Sequence, residues 1–172
     1  EVLDVATIPN LANVYPASIY GNGQAVAQSF GAITIVYDSN KIEIDSWQAF
    51  FDAANTGNYA LSPVDVWGFY MLAALARTTT GDENDLEAGW KALKQVAPGA
   101  AMLAGDYALR QVFEREEIAF ATMYGGEAYV MYTSGLENIR AAKPKEGMVA
   151  VPNMLVIPKN SGNPELARRF IH

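Results

Sequence analysis

The sequence predicts an α/β fold, a sheet with helices on both of its faces. Two observations carry this reading. Short runs rich in β-branched and aromatic residues alternate along the chain with segments of helical period. Glycine, proline and Asp/Asn/Ser turn signals separate the two kinds of segment. The chain has 172 residues and no cysteine; a chain of this length buries roughly two-thirds of its unfolded surface, so it needs no disulfide to fold.

Taken in order, residues 1–24 are irregular and read as a short helix or turn followed by a loop. "AVAQSFGAITIVYDSN" reads as a strand over 25–38, stopped by the turn Asp38-Ser39-Asn40. It is long for one strand, and Gly31 in its middle signals a bend or a close backbone approach. "DSWQAFFDAANTG" reads as a helix capped by Asp45 or Ser46 and ended by Gly57. "NYALS" is a short strand, and "PVDVWGFYMLAALARTTTG" a buried helix with Pro63 in its first turn and Gly81 as its stop. In "DENDLEAGWKALKQVAPG", Leu86, Trp90, Leu93 and Ala97 share one helical face.

After the short apolar "AMLAG", "DYALRQVFEREE" reads as a helix with Asp106 as its N-cap. "IAFATMY" is a strand, Gly125 and Gly126 make a sharp turn, and "GEAYVMYTSG" is a helix. "NIRAAKP" and "MVAVPNMLVIP" are strands, the second with Pro152 as a kink or edge position. "NPELARRFIH" starts a final helix that the chain end cuts off. In such sheets ligands bind beyond the carboxyl ends of the strands, which puts Ser62–Asp65, Asp106-Tyr107 and Tyr124–Glu127 on one rim.

Several chemistries are excluded. Without cysteine there is no thiolate nucleophile or cysteine metal site, and the single histidine is the last residue, which argues against a histidine base, a triad or a zinc site. "MYGGEA" is not a dinucleotide fingerprint, and "NTGNY" and "TTTGDEND" lack the spacing and lysine of a phosphate loop. "GDENDLE" lacks the glycine and glutamate of a calcium loop. No cofactor is implied. The formal net charge of −7 argues against nucleic acid and anionic membranes as partners. No apolar run reaches the ~20 residues of a membrane span.

Four segments in succession resemble a known family: "GAITIVYDSNKI…SWQAFFD", "LSPVDVWGFYMLAAL", "REEIAFATMYGGEAYVM" and "PKEGMVAVPNMLVIPKNSGNPELARRFI". The chain is similar to the periplasmic extracellular solute-binding proteins of ABC importers, spermidine/putrescine-binding branch. The resemblance implies a periplasmic-binding-protein-like (type II) lobe, a mixed sheet flanked by helices on both faces, with crossover strands 25–38 and 148–158. Residues 1–24 would lead in from a first lobe, 25–158 would form the second, and 159–172 would begin a truncated helix. It further implies a small-molecule solute and a membrane permease as partners, no enzyme activity, and a place in the periplasm or, membrane-anchored, outside a Gram-positive cell. The chain reads as a fragment that binds weakly or not at all by itself, and its isolated crossover strands offer edges for a strand-swapped dimer.

By similarity, Ser62 and Asp65 stand where polyamine binders carry acidic ligand contacts, and Tyr124 where they carry a stacking tryptophan. Val151 and Asn153 stand where a tryptophan and an aspartate are expected. With Glu127 these are the candidate ligand-binding residues. A bound organic cation needs carboxylates for its ammonium groups and aromatic faces for its methylenes. Because only part of that set is retained, a zwitterionic or neutral solute (an amino-acid derivative, an opine, a sugar) competes with a polyamine. An enzyme on the same fold, with Asp65 or Glu127 as acid or base, is the remaining class. Each candidate also has a structural reading. Asp65 suits a helix dipole, Ser62 is a good N-cap, Glu127 is a cap beside the two glycines, and Asn153 shapes the kink at Pro152. Trp67 and Trp90 fall in apolar stripes and read as core.

Overall fold

The computed structural model describes residues 8–54, 56–63, 67–103 and 105–172. Its strands are β1 (Ile19–Tyr20), β2 (Ala25–Asp38), β3 (Tyr59–Leu61), β4 (Ala101–Met102), β5 (Phe120–Tyr124), β6 (Ile139–Ala141) and β7 (Val149–Val156). Its α-helices are α1 (Ala49–Asp52), α2 (Phe69–Thr80), α3 (Leu86–Val96), α4 (Asp106–Glu114), α5 (Gly126–Thr133) and α6 (Pro164–Ile171). The chain divides into two compact units: Ala32–Ala150, and Glu1–Gly31 with Val151–His172. Both divisions fall inside a strand, β2 after Gly31 and β7 after Ala150.

In the Ala32–Ala150 unit the second half of β2 is flanked by β5 and β6, both antiparallel to it. β5 pairs parallel with β3, and β3 parallel with β4. Residue alternation sends neighbouring side chains to opposite faces of this mixed sheet. Ile35, Tyr37, Tyr59, Leu61 and Phe120 pack with Trp47, Phe50, Leu72, Leu75 and Val96 on one face. Val36, Ala60, Ala121 and Met123 pack with Leu109, Val112, Phe113 and Met131 on the other. Helices α1 to α3 thus cover one face and α4 and α5 the other, as the alternating pattern predicts. The first face holds an aromatic cluster, with Phe50 edge-on to Phe120 at 5.0 Å and Tyr59 stacked on Phe120 at 5.3 Å between ring centroids. Each such side chain, fully buried, contributes about 1.5–3 kcal/mol.

Three helices depart from the sequence expectation. α1 is a single turn: Ser46 Oγ donates to Glu146 Oε1 at 2.5 Å and accepts from Gln48 N–H, while Trp47 N–H reaches Glu146 Oε2. The groups expected to start a longer helix are held by a residue 100 positions away in sequence. α2 starts at Phe69 rather than at Pro63, after a wide turn at Trp67-Gly68. There the N–H of Gly68 donates to the Pro63 carbonyl at 3.0 Å, and a Cβ at Gly68 would lie 2.7 Å from that oxygen. On α3 the packed face is Gly89, Ala92, Leu93 and Val96, because Gly89 lies flush against the Leu72 backbone. Trp90, expected in the core, is 43% exposed. Asp85 caps this helix through the Ala88 N–H at 3.0 Å.

In the second unit, β1 pairs antiparallel with the first half of β2. β7 pairs with β2, and Asn153 Nδ2 donates to Ser29 Oγ at 3.1 Å. Ile8, Leu11, Val26 and Ile157 form a small buried cluster, with Ala167 and Ile171 of α6 against it. Asn163 caps α6 by accepting the Leu166 N–H at 3.0 Å.

Candidate ligand-binding site

Strands β3, β4 and β5 are mutually parallel, and each hands the chain on to a helix: β3 to α2, β4 to α4, β5 to α5. Their carboxyl ends and the following helix starts therefore share one edge of the Ala32–Ala150 unit, the edge where α/β sheets take ligands. Trp67 joins the three loops. Its ring centroid is 6.1 Å from that of Tyr124, at an interplanar angle of 32°, and 6.3 Å from that of Tyr70. Its indole Nε1–H donates to Asp106 Oδ2 at 3.4 Å.

The turn after β5 explains both of its glycines. Gly125 has an ordinary right-handed helical backbone, so conformational freedom is not what it supplies. Its N–H donates to the Ala32 carbonyl at 2.8 Å, and a Cβ there would sit 3.3 Å from Thr34 Cγ2 and 3.4 Å from the Ala32 oxygen. A Cβ on Gly126 would lie 3.1 Å from Tyr124 Cε1. The first glycine lets the turn settle on β2, and the second leaves room for the half-buried Tyr124 ring to lie over the start of α5.

Asp106 is not the cap the sequence suggests. Gly105 holds the N-cap position with φ +84°, a conformation that glycine adopts without strain, and Asp106 is the first residue of α4. Its carboxylate does not cap the helix; Oδ2 receives the Trp67 indole, and Oδ1 is buried with no hydrogen-bond partner among the described residues. Burial pushes the Asp106 carboxyl above the usual carboxylate range, against the opposing effects of the Trp67 hydrogen bond and the Arg110 charge.

Glu127 is likewise not a cap. It pairs with Arg110, Oε2 to Nε at 2.8 Å, with only 17% of its side chain exposed. The N–H is not aligned on the oxygen, so the attraction is mainly that of opposite charges. Ser62 is fully committed inside the sheet: its N–H donates to Thr122 Oγ1 at 3.1 Å and its hydroxyl to the Thr122 carbonyl at 3.2 Å. Its hydroxyl caps no helix among the described residues, and its proton is spent on Thr122.

Of the remaining candidates, Asp65 lies outside the described residues. Val151 and Asn153 are on β7 in the second unit, Val151 half-buried and Asn153 exposed. The structure thus gathers Tyr124, Glu127 and Asp106, all on the rim the sequence predicts, with Trp67, which the sequence suggests is core, and Arg110, which no sequence motif singles out. Trp67 falls in the apolar stripe of α2, which masks its position ahead of the helix. Among the described residues no group of three or more His, Cys, Asp or Glu is placed to hold a metal ion, and no helix is long and apolar enough to cross a membrane.

The sequence profile of the family described as "Bacterial extracellular solute-binding protein" matches residues 2–172. The chain is 24% identical, over all of its length, to the spermidine/putrescine-binding periplasmic protein of Salmonella typhimurium, and spans 52% of that relative. The spermidine/putrescine ABC transporter substrate-binding protein of Streptococcus pneumoniae superposes with a TM-score of 0.78 at 22% identity, over 99% of this chain and 55% of its own. A GABA receptor superposes with a TM-score of 0.80 at 18% identity, over 99% of this chain and 53% of its own. These structures share the fold. The chain spans about half the length of the curated relatives it matches.

Proposed function

The chain belongs to the bacterial extracellular solute-binding protein family, and from that premise we propose that it is the second lobe of a receptor that captures a small organic amine for the permease of an ABC importer. Such a receptor closes two lobes around its solute by movement in the crossover segments, and works in the periplasm or anchored outside the membrane. Members of this family are binding proteins rather than enzymes.

The observation that carries the amine reading is the meeting of Trp67, Tyr124 and Asp106 at the carboxyl ends of parallel strands. Aromatic faces suit methylene chains and cations, and a carboxylate suits an ammonium group. The polyamine relative supports the same class of solute. A second reading, a zwitterionic or neutral solute, rests on Ser62 and Asn153. The hydroxyl of Ser62 is spent on Thr122, and Asn153 carries a neutral amide whose Nδ2 donates to Ser29 Oγ, so two positions that are acidic in a polyamine site offer no charge. The GABA receptor shows that this fold also serves a zwitterion.

Mass spectrometry of solute that co-purifies with the native protein separates the two readings. Putrescine, spermidine or another amine without a carboxylate is expected. An amino-acid derivative or opine would favour the second reading, and a sugar would remove the amine altogether.

A further inference from the structure

We infer that Asp106 is the carboxylate this lobe presents to the ammonium group of a bound amine, and that it accepts a single positive charge. The inference rests on the amine-capture reading and specifies its chemistry.

The first argument is accommodation. Asp106 Oδ1 is buried with no hydrogen-bond partner among the described residues, although a buried carboxylate oxygen ordinarily has one. The atom is not orphaned by lack of a neighbour on its side chain, since Oδ2 of the same group receives the Trp67 indole N–H. One oxygen is therefore used to orient the group, and the other, buried, has no donor among the described residues. A carboxylate serving only the fold would place both oxygens on donors, and the helix it begins would use it as a cap. Asp106 does neither.

The second argument is charge. The described ionised groups at this rim are Asp106 and Arg110 on α4 and Glu127 on α5. Arg110 is engaged by Glu127 at 2.8 Å, which leaves the carboxylate of Asp106 in surplus by one charge. Burial makes ionising Asp106 costlier and raises its pKa, a cost that a cation beside the carboxylate offsets. The third argument is the wall beside it: the Trp67 ring, whose N–H reaches the Asp106 carboxylate, is flanked in turn by the Tyr124 ring. An ammonium on Asp106 with its methylenes along these rings satisfies charge and apolar surface together.

The Trp67 indole N–H reports on this directly. The protein has three tryptophans; Trp47 donates to the Gly147 carbonyl at 2.9 Å and serves as an internal reference. In amide-correlation NMR of the isotope-labelled chain, putrescine and butylamine at millimolar concentration are expected to move the Trp67 indole resonance, whereas butanediol and butyrate are not. The wild-type pH titration of that resonance is expected to shift to lower pH when the amine is present, a readout that needs no variant. In Asp106→Asn the apparent affinity for either amine is expected to fall roughly tenfold or more. Equal affinity of butylamine and putrescine is the signature of one charge accepted. Amine binding unchanged in Asp106→Asn, or a titration indifferent to amine, overturns the role of Asp106 while leaving amine capture standing. A wild-type resonance that answers to butyrate or butanediol as readily as to the amines overturns both.

Discussion

Trp67 and Asp106, 39 residues apart in sequence, meet through an indole N–H on a carboxylate oxygen at 3.4 Å. The contact ties the start of α2 to the start of α4, and it fixes which oxygen of Asp106 is left over. Trp67→Phe keeps a ring and removes the donor. It is expected to cost about 1–3 kcal/mol at neutral pH, the penalty for an unpartnered buried charged oxygen. The loss should shrink in acid, where Asp106 is protonated. Urea unfolding at two pH values checks this; an equal loss at both would show that the indole N–H has no electrostatic part.

Gly126→Ala places a methyl group 3.1 Å from the edge of the Tyr124 ring. The ring is the movable partner, so the cost in stability is expected to be small, about 1 kcal/mol. Its effect on the site is expected to be larger, because the ring must leave its present place beside Trp67. Cross-relaxation between the Tyr124 and Trp67 ring protons should weaken while the fold persists. Undiminished cross-relaxation would mean that the backbone, not the ring, had moved.

The Arg110–Glu127 pair is shielded from water on the Glu127 side. Arg110→Gln leaves that carboxylate without its cation and is expected to destabilise by about 1–3 kcal/mol. Adding Glu127→Gln should recover most of the loss, since removing both charges removes the unpaired one. Additive losses in the double variant, read by denaturant unfolding, would show that the two residues act independently.

Acid stability has two opposing contributions. Burial raises the Glu146 carboxyl, but hydrogen bonds from Ser46 and from the Trp47 N–H outweigh it, so the group titrates below its ordinary value. Its contribution is present above the unfolded pKa, near about 4.3, and is lost as pH falls through the lower folded value. Asp106 is raised, so its contribution is greatest below about 3.9 and fades as pH rises through its folded value. Ser46→Ala should therefore flatten the acid limb of the stability curve, and Asp106→Asn should raise the melting temperature at neutral pH. Thermal melts across pH 3–7 test both; a lower melting temperature for Asp106→Asn at pH 7 would contradict the second.

Much of the fold was legible because local pattern and tertiary structure agree. β2 begins and ends where the β-branched run and its Asp38-Ser39-Asn40 turn place it, and α3 and α6 lie within the helical segments "DENDLEAGWKALKQVAPG" and "NPELARRFIH". What was not legible depends on distant backbone. α1 is cut to one turn by Glu146, and α2 is delayed by the fit of Gly68 against Pro63. Helical period puts Trp90 on an apolar stripe, but Gly89 against Leu72 decides which side of α3 faces inward. At the site, Tyr124 could be placed from its position before two glycines. Asp106 could be put on the same rim but not told from a cap: a carboxylate opening a helix reads as one unless it is known that Gly105, at φ +84°, turns the chain there.

The pairing of β2 also bears on how the protein is made. Its second half bonds to β5 on one side and to β6 on the other, and the earliest of these partners, Phe120, lies roughly 80 residues downstream of Tyr37. At synthesis rates of 5–20 residues per second, the strand emerges about 4–16 s before either neighbour exists. For that interval a run of Ile33, Ile35 and Val36 stands with both edges open, a surface that invites pairing with other chains. The central strand of the finished sheet is thus the nascent chain's most exposed liability, and the segment for which a chaperone has the most to do.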